Sequence, residues 1–473
     1  MSLPNGFVVT LDRYTRVVDD GRALLGGFPT RLLRLTPRAR PLVTGRTVKV
    51  RDAASALLAD RLLDAGMANP VVASLPPCPD PSYTVVVPVR DRAPQLDRLL
   101  GGIGRVSPVI VVDDASHHPE DVAAVAEKHG ARLIPLPVNL GPAGARNAGL
   151  RQVTTPYVVF ADSDVTPTPD TVATLLRHFA DPRVAMAVPR ITGLPTAAPT
   201  WISRYEEVRS SLDLGSHPAA VRPGTPVSWA STACVVARVE ALKEGFDERM
   251  RVGEDVDLCW RLIENGWRVR YEPGVEVAHE HRARLGDWFL RKAVYGTGAT
   301  PLAGRHPEFI APAVFAPWNA ALVVALLAQR RWSLPVAGAA MGVATLDIAR
   351  KLDRTEHPHR LALRLTANGA VGALSQTSAL LTRHWWPLAA LGCLASGRVR
   401  RATAVAALTD IALEYRRDEA TLDPIRYGIA RRLDDLAYGA GVWVSAVRGR
   451  STKALRPRVV GRRPKADNGR IRP

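Results

Sequence analysis

The pattern of hydrophobic and polar positions changes along the chain near residue 83. From there, short apolar runs lie roughly 20 to 25 residues apart, with stretches of helical spacing between them. They predict buried strands over residues 83–89, 109–114, 132–136 and 157–160, and a helix over residues 143–152. Strands that alternate with helices in this way predict an α/β fold, with a mostly parallel sheet covered on both faces.

Carboxylates follow two of these strands directly. Asp113 and Asp114 end the second strand, and Asp162 and Asp164 end the fourth. Ligands of such sheets bind beyond the carboxyl ends of the strands. Asp162 and Asp164 are two residues apart and share one face of the chain, so they can bind one Mg²⁺ or Mn²⁺ together with substrate phosphates. A polar turn after a strand is the alternative interpretation.

A segment rich in small residues, 139–147, opens the helix before the fourth strand. Backbone N–H groups at a helix start favour anions, and Arg146 can contact a diphosphate there. The Gly-Pro pair of this segment is also common in ordinary loops. The segment is therefore a candidate donor-binding element.

Further candidate residues lie between 229 and 281. The stretch 253–262 predicts a helix whose first turn is acidic, in which Asp255 can serve as a general base and Glu254 can contact an acceptor. Acids in a first turn also complement the helix dipole without any chemistry. Trp229 can form a platform for a sugar ring or can be a core side chain. His279, or else His281, can complete a metal site with Asp164, although an isolated histidine is more often structural.

The flanking parts of the chain predict separate units. Residues 1–75 predict a winged-helix-like recognition module or a packing extension of the next domain, and the proline-rich residues 76–82 predict a linker. The α/β domain is expected over 83–300, followed by an apolar helical region over 301–447. Residues 448–473 contain ten Lys and Arg and one Asp, and predict a disordered basic tail.

Composition narrows the possible partners. The net charge of +18 implies acidic partners: nucleic acid, nucleotide-sugar phosphates or an anionic membrane. The acidic strand ends disfavour nucleic acid, because they repel phosphate unless a metal intervenes. The four cysteines form no C-x-x-C pair, which fits a reducing compartment, and no apolar signal segment opens the sequence. The apolar helices and basic tail favour association with the cytoplasmic side of the cell membrane; a buried helical bundle and a tail that binds nucleic acid are the alternatives.

Residues 83–281 resemble family 2 nucleotide-sugar glycosyltransferases of the GT-A fold, a Rossmann-like α/β fold. Five motifs carry the resemblance in order: Val-Val-Pro-Val-Arg-Asp at 86–91, Val-Val-Asp-Asp-Ala-Ser at 111–116, Asn-Leu-Gly-Pro-Ala-Gly-Ala-Arg-Asn at 139–147, Asp-Ser-Asp at 162–164 and Gly-Glu-Asp-Val-Asp-Leu-Cys-Trp-Arg at 253–261. The resemblance implies that Asp113 or Asp114 contacts the nucleotide base and Asp162 the ribose side of the donor. It further implies Asp164 as a metal ligand, His279 in preference to His281 as another, and Asp255 as the base of an inverting transfer.

The whole chain resembles a narrower group, the glycosyltransferases of mycofactocin systems. The segments that carry this resemblance are 3–7, 11–12, 25–27 and 31–35. It implies transfer of glucose from UDP-glucose, in β-1,4 linkage, to a redox cofactor derived from a small peptide, and acceptor binding by residues 1–75. A cell-wall glycan or a lipid acceptor is the alternative. A dinucleotide oxidoreductase is disfavoured, because no G-x-G-x-x-G motif follows the first strand.

Overall fold

The computed structural model describes residues 2–104, 107–196 and 198–461 of the 473-residue chain. The chain divides into two compact units, Met1–Ala283 and Arg284–Pro473. The first unit contains every predicted site residue. The division falls earlier than the predicted boundary at residue 300.

The first 75 residues form two small antiparallel sheets and one α-helix. The sheets have the strand orders β5-β1-β6 and β2-β3-β4. The elements are β1 (Val8–Leu11), β2 (Arg16–Val18), β3 (Ala23–Gly26), β4 (Arg31–Arg34), β5 (Thr47–Lys49), α1 (Ala53–Asp64) and β6 (Ala68–Pro70). Asp52 caps α1 by accepting a hydrogen bond from Ser55 N at 2.8 Å. The winged-helix interpretation needs correction, because the described part of this segment has one α-helix, and its other regular elements are short strands and 3-10 turns.

This N-terminal segment packs directly on the following sheet. Asp60 and Asp64 lie one turn apart on α1 and both bind Arg268 Nη2, at 2.6 and 2.8 Å. Arg268 Nη1 binds the buried Asp181 at 2.7 Å. Leu75 and Ala180 belong to the same apolar cluster as the core of the segment. These contacts favour the packing-extension interpretation of residues 1–75.

A nine-stranded mixed sheet forms the centre of the first unit, with the order β11-β15-β12-β14-β10-β7-β8-β9 and β13 paired to β15. Its strands are β7 (Tyr83–Val89), β8 (Val109–Asp113), β9 (Arg132–Pro135), β10 (Tyr157–Ala161), β11 (Val165–Thr166), β12 (Val184–Gly193), β13 (Ala219–Ala220), β14 (Cys234–Arg238) and β15 (Arg268–His279). Its helices are α2 (Ala93–Ile103), α3 (Pro119–His129), α4 (Gly141–Leu150), α5 (Pro169–Leu176), α6 (Trp201–Arg209) and α7 (Glu254–Glu264).

The four predicted strands are present and parallel to one another. β10, β7, β8 and β9 are consecutive neighbours, so their carboxyl ends lie at one edge of the sheet. The sheet becomes mixed at β14, which is antiparallel to both β10 and β12. All five residues of β10 are buried, as its unbroken apolar run predicts.

The second unit is mostly helical. Its elements are α8 (Leu285–Thr297), α9 (Ala299–Arg305), β16 (Val314–Phe315), α10 (Pro317–Ala328), α11 (Ser333–Lys351), α12 (Pro358–Ala379), α13 (Trp386–Ala395), α14 (Gly397–Arg417), α15 (Pro424–Arg448) and β17 (Arg458–Val459). No helix of the described residues is long and apolar enough to cross a membrane.

Close helix packing explains why this unit begins before residue 300. α8 packs along α15, and a Cβ added to Gly441 would lie 1.9 Å from the carbonyl oxygen of Ala293. The two helix backbones can approach this closely because a glycine lies at the contact. The predicted disordered tail also needs correction up to residue 461, since β17 pairs with β16 in parallel. Residues 462–473 of that tail lie outside the described residues.

Candidate active site

The two acids that end β8 fix the loops around them. Asp113 Oδ1 accepts hydrogen bonds from Ser116 N at 3.0 Å and Ser116 Oγ at 2.5 Å. Asp114 accepts hydrogen bonds from the backbone N–H groups of Leu140 at 2.6 Å and Gly141 at 2.9 Å. Burial raises the pKa of Asp114, although those two hydrogen bonds act in the opposite direction. Both acids therefore lie where the sequence predicts; their contact with a nucleotide base stays a prediction.

Arg146 bridges two acids from different parts of the chain. Its Nη2 atom binds Asp162 Oδ1 at 2.6 Å, and its Nη1 atom binds Glu254 Oε1 at 3.0 Å. Burial acts to lower the pKa of Arg146, but the charges of Asp162 and Glu254 outweigh burial and raise it. The guanidinium thus joins the end of β10 to the start of α7. The predicted diphosphate contact of Arg146 and acceptor contact of Glu254 stay predictions, and in this structure the two side chains bind each other.

Asp255 follows Glu254 in the first turn of α7. Burial, and after it the negative charge of Glu254, raise the pKa of Asp255 to about 7. Arg146 and a hydrogen bond from Val256 N, at 2.8 Å, act to lower it. A carboxyl group with a pKa near neutrality can accept a proton at physiological pH, which is the property of a general base.

The segment before α7 is attached to the start of α4. Arg251 Nη1 binds Asn139 Oδ1 at 3.0 Å and lies against Gly141, where an added Cβ would be 2.5 Å from it. Gly141 has a φ of +78° and Gly253, which precedes α7, has a φ of +83°; both angles are accessible to glycine at little cost. The glycines of two sequence motifs therefore allow the Asp255 helix to approach the loop that Asp114 holds.

Trp229 lies in the loop before β14 and is partly buried. The residues on both sides of it are bound to α7: Trp260 Nε1 donates to Ser228 O at 2.8 Å, and Cys259 Sγ contacts Ala230 O at 3.5 Å. The helix that begins with Glu254 and Asp255 therefore also positions the Trp229 loop. A platform role for this ring stays a prediction.

Asp164 and His279, the two predicted metal ligands, lie close together; their binding of a metal stays a prediction. β11 pairs with β15 so that Val165 lies opposite His279, and His279 Nε2 is 3.6 Å from Asp164 Oδ2. His279 Nδ1 is buried and has no hydrogen-bond partner among the described residues. No group of three or more His, Cys, Asp or Glu side chains in the described ranges is arranged to hold a metal. One carboxylate and one imidazole fit a Mg²⁺ or Mn²⁺ that takes its other ligands from substrate phosphates.

Two arginines, one just before α2 and one in its middle, also belong to this end of the sheet. Arg92 Nη1 is in direct contact with Asp164 Oδ2, and Arg98 Nη2 binds Glu280 Oε2 at 2.7 Å. Glu280 lies next to His279 on the chain. Sequence reasoning missed Arg92, although a basic residue just after the first strand, where ligands bind, was an available signal.

Comparisons with known proteins show which family this chain resembles. The family model described as Glycosyl transferase family 2 matches residues 84–246. The chain is 44% identical, over 97% of its length and 98% of the relative's, to the pre-mycofactocin glycosyltransferase of Mycobacterium tuberculosis. It is 28% identical to the N-acetylglucosaminyl-diphospho-decaprenol L-rhamnosyltransferase of the same organism, over 53% of this chain and 88% of that relative.

A solved structure to which the chain is similar is the mannosyltransferase PcManGT from Pyrobaculum calidifontis, in complex with GDP-Man and Mn²⁺. The identity is 24%, the TM-score is 0.37, and the match covers 63% of this chain and 88% of that one. The long match at 44% identity and the ordered strand-end motifs together establish the family. The chain belongs to the family 2 glycosyltransferases of the GT-A fold, in the group that includes the pre-mycofactocin glycosyltransferase.

Proposed function

We propose that this enzyme transfers glucose from UDP-glucose, with inversion and in β-1,4 linkage, to a peptide-derived redox cofactor of the mycofactocin type. The observation that carries the inverting mechanism is Asp255: its pKa is raised to about 7 and it stands beside the Arg146 bridge to the strand-end acids. The acceptor class rests on the relative that matches almost the whole chain. Glucose and the linkage rest on the family resemblance.

In the proposed mechanism Asp255 takes the proton of the acceptor hydroxyl, which then attacks the anomeric carbon in a single displacement. Glu254 and Asp162 both bind Arg146, so the base and the donor side of the site keep a fixed separation. Trp229 provides an apolar face for a sugar ring. Asp113 or Asp114 recognises the nucleotide base.

Asp164 and His279 are the residues that would hold a divalent metal, Mn²⁺ or Mg²⁺. A metal bound there would supply Lewis-acid stabilisation of the departing diphosphate. His279 Nε2 lies 3.6 Å from Asp164 Oδ2, and His279 Nδ1 has no hydrogen-bond partner in the part of the chain that the structure describes; both observations support this assignment. The acids of the site also count against nucleic acid as the partner of this basic chain.

The rate should depend on pH through Asp255. Its carboxylate form is the active one, so kcat/KM should rise with pH through about 7 and then level off. With a single group of that pKa, the rate at pH 6 should be about a tenth of the plateau. Rates at saturating metal and donor between pH 5.5 and 9 measure this profile. A flat profile would contradict the role of Asp255.

The proposal is tested by nucleotide release from a panel of sugar nucleotides, with and without Mn²⁺ and with and without the peptide-derived acceptor. Release from UDP-glucose that requires both metal and acceptor would support the donor, the metal and the acceptor. Release from another donor would be consistent with the mechanism but would exclude glucose as the transferred sugar. No release from any donor in the presence of acceptor would remove the proposed activity.

A second acceptor class has a specific observation in its favour. The rhamnosyltransferase relative acts, by its name, on a diphospho-decaprenol-linked sugar, and 53% of this chain aligns with it. A lipid-linked or cell-wall glycan acceptor is therefore the alternative. Faster nucleotide release with a polyprenyl-diphosphate sugar than with the peptide-derived cofactor would favour that alternative.

We also propose that the enzyme associates with the cytoplasmic side of the cell membrane. Large aliphatic side chains on α11, α12, α13 and α14 are exposed, and Leu394 reaches 83% exposure. The exposed Arg400 and Arg401 follow it at the start of α14. Apolar side chains beside arginines are complementary to an anionic bilayer surface. The four cysteines are free, which fits a reducing compartment.

Flotation with vesicles measures this association. The protein should float with vesicles that contain phosphatidylglycerol, and more weakly with neutral vesicles, because both apolar and charged contacts contribute. Leu391→Ser/Leu394→Ser should reduce flotation at any salt concentration, since it removes exposed apolar side chains of α13. Leu57→Ser, an exposed leucine of α1, is the control. Equal flotation of all three proteins would contradict this surface.

A further inference from the structure

Arg92 is the cation that neutralises Asp164 in this structure. Its Nη1 atom is in direct contact with Asp164 Oδ2, the oxygen that also lies 3.6 Å from His279 Nε2. The neighbouring cations have other partners, because Arg98 binds Glu280 and Arg146 binds Asp162 and Glu254. Asp164, the expected metal ligand, is therefore already paired with an arginine in this structure.

The two members of this ion pair differ in their freedom to move. Asp164 lies between β10 and β11, and its side chain is 12% exposed. The Arg92 side chain is 36% exposed, starts at the residue before α2 and makes no hydrogen bond to cap that helix. A change of side-chain rotamers can withdraw the guanidinium without altering the fold.

A guanidinium and a divalent cation repel each other and therefore compete for Oδ2 of one carboxylate. A diphosphate, however, presents the oxygen geometry that a guanidinium binds with two parallel hydrogen bonds. Arg92 therefore has a partner to which it can transfer when a nucleotide sugar enters this end of the sheet. Arg92 therefore opposes a metal that enters the site without a donor. It assists binding of a donor that enters together with the metal.

We propose that Arg92 couples metal binding to donor binding: it occupies Asp164 in the free enzyme and moves to the donor diphosphate when metal and nucleotide sugar bind together. This inference rests on the proposed metal-dependent function. The coupling suppresses binding of metal without donor. It makes Arg92 a positioning residue for the donor, in addition to the acids of the site.

The test is Mn²⁺ binding to the full chain, from the electron paramagnetic resonance signal of free Mn²⁺, with and without UDP. In the absence of nucleotide, Arg92→Met should bind Mn²⁺ about tenfold more tightly than the unaltered protein, because a competing cation is removed. With UDP present this advantage should disappear, since the variant also lacks a diphosphate contact. Arg92→Lys keeps the charge but not the planar guanidinium. Its Mn²⁺ affinity without nucleotide should lie between those of the unaltered protein and Arg92→Met.

Arg98→Met is the matched control. Arg98 has a similar exposure of 38%, lies on α2, which begins directly after Arg92, and pairs with Glu280 rather than Asp164. The Mn²⁺ affinity of Arg98→Met without nucleotide should change less than twofold, because the exposed ion pair of Arg98 with Glu280 contributes little energy. Unchanged or weaker Mn²⁺ binding by Arg92→Met would overturn the proposal, as would equal tightening in Arg98→Met.

The failure of the proposed function gives a different result. Absence of Mn²⁺ binding from every protein, with or without UDP, would remove the metal site and this inference with it. Normal Mn²⁺–UDP binding by the unaltered protein, together with no tightening in Arg92→Met, would keep the metal site and overturn the coupling alone.

Discussion

Asp255→Asn should reduce turnover by about a thousandfold, within the range that loss of a general base produces. The amide cannot accept the proton of the acceptor hydroxyl, and a thousandfold loss corresponds to about 4 kcal/mol of transition-state stabilisation. Donor affinity should be retained, because the donor contacts are expected at the ends of β8 and β10. Turnover with acceptor and binding of UDP-glucose by calorimetry measure the two effects separately.

The stability of this variant should change in the opposite direction from its activity. The pKa of Asp255 in the folded chain lies above the ordinary value of 3.8. Ionisation of Asp255 therefore lowers the free energy of unfolding progressively as the pH rises from about 4 to about 7. A neutral asparagine avoids this cost, so Asp255→Asn should unfold at the same or a higher temperature at pH 8.

The matched control is Asp121→Asn, since Asp121 is also in the first turn of a helix but is exposed on α3. It should leave both turnover and donor affinity unchanged. A reduced unfolding temperature of Asp255→Asn, or equal loss of donor affinity and turnover, would indicate a folding defect and count against the role of a base.

Replacing Arg146 by methionine should lower the free energy of unfolding more than the other substitutions proposed for this chain. The guanidinium is buried and pairs with both Asp162 and Glu254, so its removal leaves two acids without their cation. Removing one partner of a buried ion pair costs about 3–5 kcal/mol in free energy of unfolding. Urea unfolding followed by tryptophan fluorescence measures the loss. Arg151 is an exposed arginine just after α4, the helix that contains Arg146. Arg151→Met should lower the free energy of unfolding by less than about 0.5 kcal/mol.

Arg146 should also influence the pH profile. Its positive charge lowers the pKa of Asp255, so its removal should raise that pKa and shift the rising limb of the rate–pH profile to higher pH. Arg146→Lys keeps the charge and should shift the profile less than the methionine variant. The double variant Arg146→Met/Glu254→Gln should recover part of the lost stability, because one unpaired charge is removed with its partner. An unshifted profile in a folded Arg146→Met protein would show that the bridge has no electrostatic role.

Some features were determined by the sequence alone, because they depend on neighbours along the chain. The apolar runs place β7, β8, β9 and β10 within one residue of their observed bounds. The acids after them must then lie at one edge of the sheet, since parallel strands end together. Asp52 as a helix cap and the acidic first turn of α7 are local for the same reason.

Other features depended on the tertiary structure. Arg146 was assigned to a diphosphate from its position at a helix start, but it binds Glu254, which lies 108 residues away in the chain. The pKa of Asp255 depends on burial and on the Arg146–Glu254 ion pair, and no pattern in the sequence indicates either of them. The pairing of Arg92 with Asp164, 72 residues apart, was likewise invisible to periodicity.

The ends of the chain show the same difference. Residues 1–75 and 448–461 have compositions typical of a separate module and a free tail, yet they pack as part of their units through Arg268 with Asp64 and through β17 with β16. Local patterns determine where strands and helices form and which residues end them. Long-range contacts decide which charges meet, how far each is withdrawn from water and therefore what protonation state it adopts.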